Sequence, residues 1–195
     1  MTLEAGGALC LGAVVIGAAA LVAGLLFFVY NRLVTLKNRV DNSWAQIDVQ
    51  LKKRNDLVPN LVETVKGYAK HERTVFQKVT QARTAMMDAK SMEGKAKASD
   101  MLTGALKSLF AVSENYPDLK ASKNFMMLQE ELSGIENKIA YARTAYNDSV
   151  YHYNNTQEVL PYVLLAGMLG HKKREYFEAE EGEKKVPKVK FESEG

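Results

Sequence analysis

The chain has 195 residues, with 26 Lys and Arg against 23 Asp and Glu, and its net charge is only +3. So small a charge gives no field strong enough to indicate nucleic-acid binding, and a single cysteine, Cys10, excludes an internal disulfide. Hydrophobic residues make up 47% of the chain and prolines number only 4, a composition that favours long helices.

The first predicted element is a transmembrane helix at Ala8–Tyr30, a run of 23 residues without charge. At about 1.5 Å per residue it covers roughly 34 Å, which is enough to cross a hydrocarbon core of about 30 Å. Basic residues follow the run at Arg32, Lys37 and Arg39, and none precedes it. The positive-inside rule therefore predicts a single-pass protein of the cell (inner) membrane, with its N-terminus outside and the following domain in the cytoplasm. The alternative places that domain on the extracytoplasmic side.

Small residues form a stripe on one face of this helix. Ala13, Gly17, Ala20 and Gly24 recur at spacings of 4, 3 and 4 residues. Such stripes let helix backbones approach closely in lipid, so these residues are candidates for self-association of the anchor. In a segment rich in Ala and Gly the same spacing also arises by chance, and both interpretations stay open.

Beyond the anchor, apolar residues recur at helical spacing over 33–58, and the helix is predicted to continue into this region without a break. Pro59 would clash with the carbonyl of Asn55 inside a helix, but the first turn of a helix tolerates a proline. With Asp56 as N-cap, the sequence predicts a corner at Asn55–Pro59 between two antiparallel helices. A continuous kinked helix is the alternative.

The polar stretch Lys90–Asp100 is predicted to be a loop, with Asp100 as the N-cap of a short helix. Asn115–Lys120 breaks that helix because Tyr116 precedes a proline. The last helix has the clearest periodicity, with steps of 3 and 4 residues as in a coiled-coil seam: Phe125, Leu128, Leu132, Ile135, Ile139, Ala142, Tyr146, Ser149 and Tyr153. Together these elements predict an all-α protein in which an N-terminal transmembrane helix continues into an antiparallel up-and-down four-helix bundle.

The predicted domains are an N-terminal tail and transmembrane anchor (1–31), a helical bundle (32–158), an apolar return segment (159–177) and a charged tail expected to be disordered (178–195). The apolar stretch of the return segment is far too short to cross a bilayer. It either lies in the membrane interface, followed by the basic residues 172–174, or packs over the open end of the bundle. Its candidate membrane-contacting residues are Tyr162, Val163, Leu164, Leu165, Met168 and Leu169.

No catalytic, cofactor-binding or metal-binding residue is predicted. The pair His71-Glu72 lacks the second histidine of a zinc-protease helix, and no histidine follows a glutamate at the spacing that di-iron bundles require. His71 and Glu72 are instead expected on a solvated helix face. The sequence predicts a protein that is not an enzyme, with no cofactor and no small-molecule substrate.

Four segments carry a resemblance to a known family: Tyr30–Glu72, Leu109–Asp148, Tyr153-Asn154 and Arg174–Glu181. In them the chain resembles the LemA family of bacterial and archaeal membrane proteins, whereas Thr156–Lys173 departs from the family's common pattern. The resemblance implies an N-terminal membrane helix, a closed four-helix bundle, no established enzymatic activity and no cofactor. One branch of the family serves in magnetosome membrane formation, which suggests a part in membrane organisation.

Two functions of different class are expected. The first is a non-enzymatic membrane-anchored scaffold that self-associates and organises or shapes the membrane, with the lipid bilayer and its own copies as partners. The second is a membrane-tethered binding or signalling adaptor that presents a helical surface to an unknown partner protein. Polar residues in the matching segments suit either a shared partner-binding or assembly surface, or caps, buried hydrogen bonds and solvated faces: Asn42, Gln46, Asp48, Asn55, Asn147, Asp148 and Asn154.

Overall fold

A computed structural model describes the backbone of residues 2–177 and the side chains of residues 12–177. Helices and turns account for this part of the chain, and it contains no strand. The helices are α1 (Thr2–Tyr68), α2 (Arg73–Asp88), α3 (Met92–Val112), α4 (Pro117–Lys120), α5 (Lys123–Glu158) and α6 (Tyr162–Leu165). The all-α class and the long apolar N-terminal helix are therefore confirmed, while the four-helix up-and-down arrangement stays a prediction. The expected disorder of 178–195 lies outside the described residues.

The predicted corner at Asn55–Pro59 is wrong, because Pro59 lies inside α1 and the helix continues to Tyr68. A proline in a helix interior leaves the carbonyl four residues earlier without its helical donor. That carbonyl belongs to Asn55, and Arg83 Nε of α2 donates to it over a long 3.5 Å. Helix packing on both sides of the proline has outweighed the local cost, and the alternative of a continuous helix is the one observed.

The first turn between helices lies ten residues further on, between Tyr68 and Arg73. His71 and Glu72 belong to this turn, so their expected place on a helix face is wrong. The Glu72 carbonyl accepts from the backbone N–H of Phe76 at 3.2 Å, and its carboxylate accepts from the Tyr116 hydroxyl at 3.3 Å. Glu72 therefore has a structural part in closing the turn.

The predicted loop at Lys90–Asp100 is also wrong, since α3 begins at Met92. Ser91 is the true N-cap, and its hydroxyl accepts a hydrogen bond from the Gly94 amide at 3.0 Å. Ala96, Ala98 and Ser99 form the buried face of the first turns. These side chains are too small to give a hydrophobic periodicity in the sequence, which is why the helix start was placed too late.

The last helix is confirmed. A 3-10 turn at Ser113–Asn115 and the short α4 interrupt the chain where the proline predicted a break, and α5 then runs for 36 residues. Its predicted seam is buried, from Phe125 (1% exposed) to Tyr153 (2% exposed), with Leu128 partly buried against the core. Burying each large aliphatic side chain of such a seam contributes about 1.5–3 kcal/mol.

The chain divides into two compact units, and α1 and α5 each contribute to both. We call Met1–Trp44 with Ala145–Glu175 the anchor unit, and Ala45–Thr144 with Tyr176–Gly195 the bundle unit. The bundle unit contains the large apolar core, drawn from α1, α2, α3, α4 and α5. In the anchor unit, Trp44 meets Tyr146 edge to face at 5.7 Å between ring centroids. This contact fixes α1 against α5 within that unit.

Candidate functional site

The anchor part of α1 exposes large apolar side chains between residues 14 and 28. Ile16 is 71% exposed, Leu21 is 78% exposed and Phe27 is 72% exposed. Exposure of apolar surface to water costs about 25 cal/mol per Å², so a helix of this kind is stable in an apolar solvent. Within the described residues, α1 is the helix that is long and apolar enough to cross a membrane, by length and composition.

The small-residue stripe lies on a face that no other part of the described chain covers. Ala13, Gly17, Ala20 and Gly24 are all exposed. A Cβ atom added at Gly17 or Gly24 would meet nothing within 4 Å. The face is open to an approaching helix, and its use for self-association remains a prediction.

The return segment has an inner and an outer side. Tyr162 and Leu165 pack on a small cluster formed by Val29, Leu33 and Ala166. The outer side exposes Leu160 (73%), Val163 (49%), Leu164 (67%) and Met168 (83%), with Leu169 at 37%. Val29 is one of the last residues of the uncharged run, so the segment lies beside the point where the anchor ends. Its outer side therefore presents apolar side chains beside the end of the uncharged run.

Glycine ends this segment. Gly170 has a φ of +74°, a left-handed conformation that glycine adopts without strain. The His171 amide donates back to the Ala166 carbonyl at 2.9 Å, as in a helix C-terminal motif. The chain reverses there and runs back along α5.

Hydrogen bonds between α5 side chains and the backbone of the returning chain hold that chain on α5. Asn154 donates from Nδ2 to the Arg174 carbonyl and accepts from the Arg174 amide, both at 2.8 Å. The Tyr146 hydroxyl donates to the Glu175 carbonyl at 2.9 Å. Burial raises the pKa of Tyr146 to about 12, so this hydroxyl keeps its proton. Of the seven polar residues singled out in the segments that resemble the family, Asn154 therefore forms internal hydrogen bonds.

A buried arginine organises the bundle unit. Arg54 is 0% exposed, and its Nη1 donates to Glu136 at 2.5 Å and to Thr103 at 2.9 Å. Its Nη2 donates to the hydroxyl of Ser99 at 2.7 Å and to the Ser99 carbonyl at 3.1 Å. Burial lowers the pKa of Arg54, while the Glu136 carboxylate opposes that shift. The group joins α1, α3 and α5.

Arg143 extends this network. Its Nη2 donates to the Ser99 hydroxyl at 2.8 Å and to the Asp100 carboxylate at 2.9 Å. Asp100 is therefore an ion-pair partner inside α3, and its predicted role as an N-cap is wrong. The two guanidinium groups share Ser99 and bind protein groups, which suits a role in fixing helix register.

The role of Arg54 was not predicted from the sequence. A signal was present, because Arg54 stands three residues after Leu51 and four before Val58 in the apolar stripe of α1. A cation at a seam position indicates a buried ion pair. The partner could not be inferred, since Glu136 lies 82 residues further along the chain.

The sequence predicts no catalytic, cofactor-binding or metal-binding residue, and this absence stays a prediction. Within the residues that the structure describes, no group of three or more His, Cys, Asp or Glu side chains is placed to hold a metal ion.

Comparison with known proteins identifies relatives. The protein LemA of Metamycoplasma hominis is 29% identical over 143 residues, which cover 69% of this chain and 64% of that protein. Magnetosome protein MamQ 2 of Paramagnetospirillum magneticum is 27% identical over 190 residues, covering 84% of this chain and 70% of the relative. Magnetosome protein MamQ of Magnetospirillum gryphiswaldense is 25% identical over 174 residues, covering 76% and 64%. The chain thus spans about two thirds of the length of these relatives.

The sequence profile of the LemA family matches residues 43–191, well over half of the chain. The resemblance found in the four segments is confirmed. With its apolar N-terminal helix, this is a membrane-anchored helical protein. The chain therefore belongs to the LemA family.

Proposed function

We propose that the protein is a non-enzymatic membrane-anchored scaffold that self-associates and organises or shapes the membrane around it. The observation that carries this proposal is the outer side of the return segment, whose apolar side chains are exposed beside the end of the anchor. A helix that crosses the bilayer and a second apolar element in the interface would together hold the chain in a fixed orientation. The family branch that serves in magnetosome membrane formation supports the same function.

The open stripe on α1 supports self-association of the anchor. Replacing both Gly17 and Gly24 by Leu adds bulk where two backbones would approach, yet keeps the segment apolar. The double variant is expected to insert into the membrane and to run as a smaller species in mild detergent. Molar mass by light scattering on purified full-length protein measures the change.

A matched control places leucine on other faces of the same helix, with Ala18→Leu and Ala19→Leu. That variant is expected to keep the wild-type mass. If the glycine variant also keeps it, the stripe does not mediate assembly and the scaffold proposal loses its interface. If the wild type is a monomer bound to an unrelated protein, the adaptor function replaces the scaffold.

One observation favours the adaptor as a second candidate. The bundle unit exposes four methionines, at Met87 (62%), Met101 (55%), Met126 (47%) and Met127 (68%). Methionine side chains are flexible and polarizable, and they are common on surfaces that bind varied partners. Stoichiometric recovery of one other protein with the full-length chain would support this candidate.

We also propose that the bundle is cytoplasmic, because basic residues follow the anchor and none precedes it. In a Cys10→Ala background, a cysteine introduced by Lys78→Cys on the exposed face of α2 should resist an impermeant maleimide in intact cells. It should react after permeabilisation. The control Thr2→Cys should react in intact cells. The reverse pattern of labelling would place the bundle on the extracytoplasmic side.

A further inference from the structure

The anchor unit contains an open cleft of about 520 Å³ that neither the anchor stripe nor the return segment explains. One wall is α1 from Tyr30 to Asn38, and the other is the chain that follows α6, from Leu169 to Arg174. Tyr153 of α5 lies between the two walls, and its hydroxyl forms a hydrogen bond with His171 Nδ1 at 2.9 Å. The cleft is therefore built from three parts of the chain that are distant in sequence.

The walls of this cleft carry an excess of positive charge. Four cations line it, namely Lys37, Lys172, Lys173 and Arg174, and none of its lining residues is acidic. Lys173 pairs with Glu158, and Arg174 pairs with Asp41 at 2.8 Å.

The other two lysines, Lys37 and Lys172, differ in the described part of the chain. Within residues 12–177, Lys37 and Lys172 belong to none of the ion pairs. They face a cleft that would attract an anion.

The imidazole of His171, which lines the cleft, is suited to donate a hydrogen bond. Burial lowers the pKa of His171, and the charge of Lys37 lowers it further, so both favour the neutral imidazole. When the Tyr153 hydroxyl donates to Nδ1, the ring proton resides on Nε2. Nε2 is then a donor without a net charge, held in orientation by Tyr153.

The position of the cleft indicates which anion it meets. Tyr30 is the last residue of the uncharged run, and it lines the cleft. The exposed apolar side chains of the return segment end at Leu169, which lines it as well. On both walls the cleft thus begins where apolar surface gives way to polar surface. In a membrane, that change occurs at the depth of the phospholipid headgroups.

We propose that this cleft binds the phosphate of an anionic phospholipid headgroup, with Lys37 and Lys172 as the main sources of charge and His171 as a donor positioned by Tyr153. Basic residues next to a transmembrane helix attract anionic lipids, and a cleft between them adds selectivity to the attraction. Binding of the headgroup requires the anchor but not self-association. The cleft proposal and the self-association proposal can therefore fail independently.

The test uses full-length protein in a neutral detergent, titrated with phosphatidylglycerol and, separately, with phosphatidylcholine, and followed by native mass spectrometry. The wild type is expected to bind phosphatidylglycerol more tightly. The double variant Lys37→Gln and Lys172→Gln is expected to weaken that binding about thirtyfold, since two basic residues near the headgroup are removed. Its binding of phosphatidylcholine should change little.

A charge-matched control, Lys52→Gln and Lys53→Gln, removes two exposed lysines of α1 outside the cleft. It is expected to keep the wild-type affinity. Equal losses in both variants, or no loss in the cleft variant, would overturn the proposal. Inorganic phosphate provides the other arm: if it displaces phosphatidylglycerol at equal concentration, the cleft is a site for free phosphate and not for lipid. Far-UV circular dichroism of each variant verifies that the helices are intact.

Discussion

Replacing Glu136 by Leu is expected to lower the free energy of unfolding by about 3 kcal/mol, although a leucine would fit the surrounding apolar helices. The reason is that the positive charge of Arg54 remains after its carboxylate partner is removed. Arg54 is fully buried, and among residues 12–177 the hydrogen-bond partners that it keeps without Glu136 are Ser99 and Thr103, which are both uncharged. The Glu136 side chain is 40% exposed, so solvent screens the pair and the loss falls at the lower end for buried pairs.

Replacing Arg54 by Met should cost clearly less, although it removes the same ion pair. Methionine fills most of the space, and the carboxylate left behind can still reach water. The control Glu130→Leu changes an exposed carboxylate of the same helix and should alter stability by less than about 0.5 kcal/mol. Urea denaturation of the full-length chain in detergent, followed by far-UV circular dichroism, measures all three. Equal losses for Glu136→Leu and Arg54→Met would contradict the asymmetry.

Replacing Pro59 by Ala is expected to raise the free energy of unfolding by about 1–2 kcal/mol. A proline inside a helix costs about 3 kcal/mol relative to alanine, and the new amide could donate to the Asn55 carbonyl. Part of the gain is offset because proline also restricts the unfolded chain. The long 3.5 Å bond from Arg83 shows that the present replacement donor is weak.

The matched control is Pro117→Ala. Pro117 is the first residue of α4, a position that favours proline, so its replacement should give no gain. The same denaturation measurement compares the two variants. No gain at Pro59 would mean that the hydrogen bond from Arg83 already satisfies the Asn55 carbonyl.

The sequence predicted a helix correctly wherever one long segment had a clear hydrophobic pattern of its own. The uncharged run at Ala8–Tyr30 and the seam of α5 are such segments, and both helices are observed. Pro59 was misjudged because the rule for proline is local, whereas Val58, Leu61 and Val62 around it are buried in the bundle core. Tertiary packing supplied the energy that the local rule omits.

The start of α3 and the buried network were missed for different reasons. Small residues such as Ala98 pack closely but add little to a hydrophobic pattern. The network joins residues far apart in sequence, since Ser99 comes 45 positions after Arg54 and Glu136 comes 82 positions after it. Pairings of this kind require the folded arrangement of three helices, and the pattern of a single sequence does not contain them.

The two hydrogen bonds between Asn154 and Arg174 join the side chain of Asn154 to the backbone of position 174. Asn154 binds the amide and carbonyl of position 174, groups that almost every residue type supplies. These two bonds therefore do not depend on the side chain at position 174, except that proline there would remove a donor. The charge at position 174 can be removed or reversed while the backbone that carries it stays bound to α5.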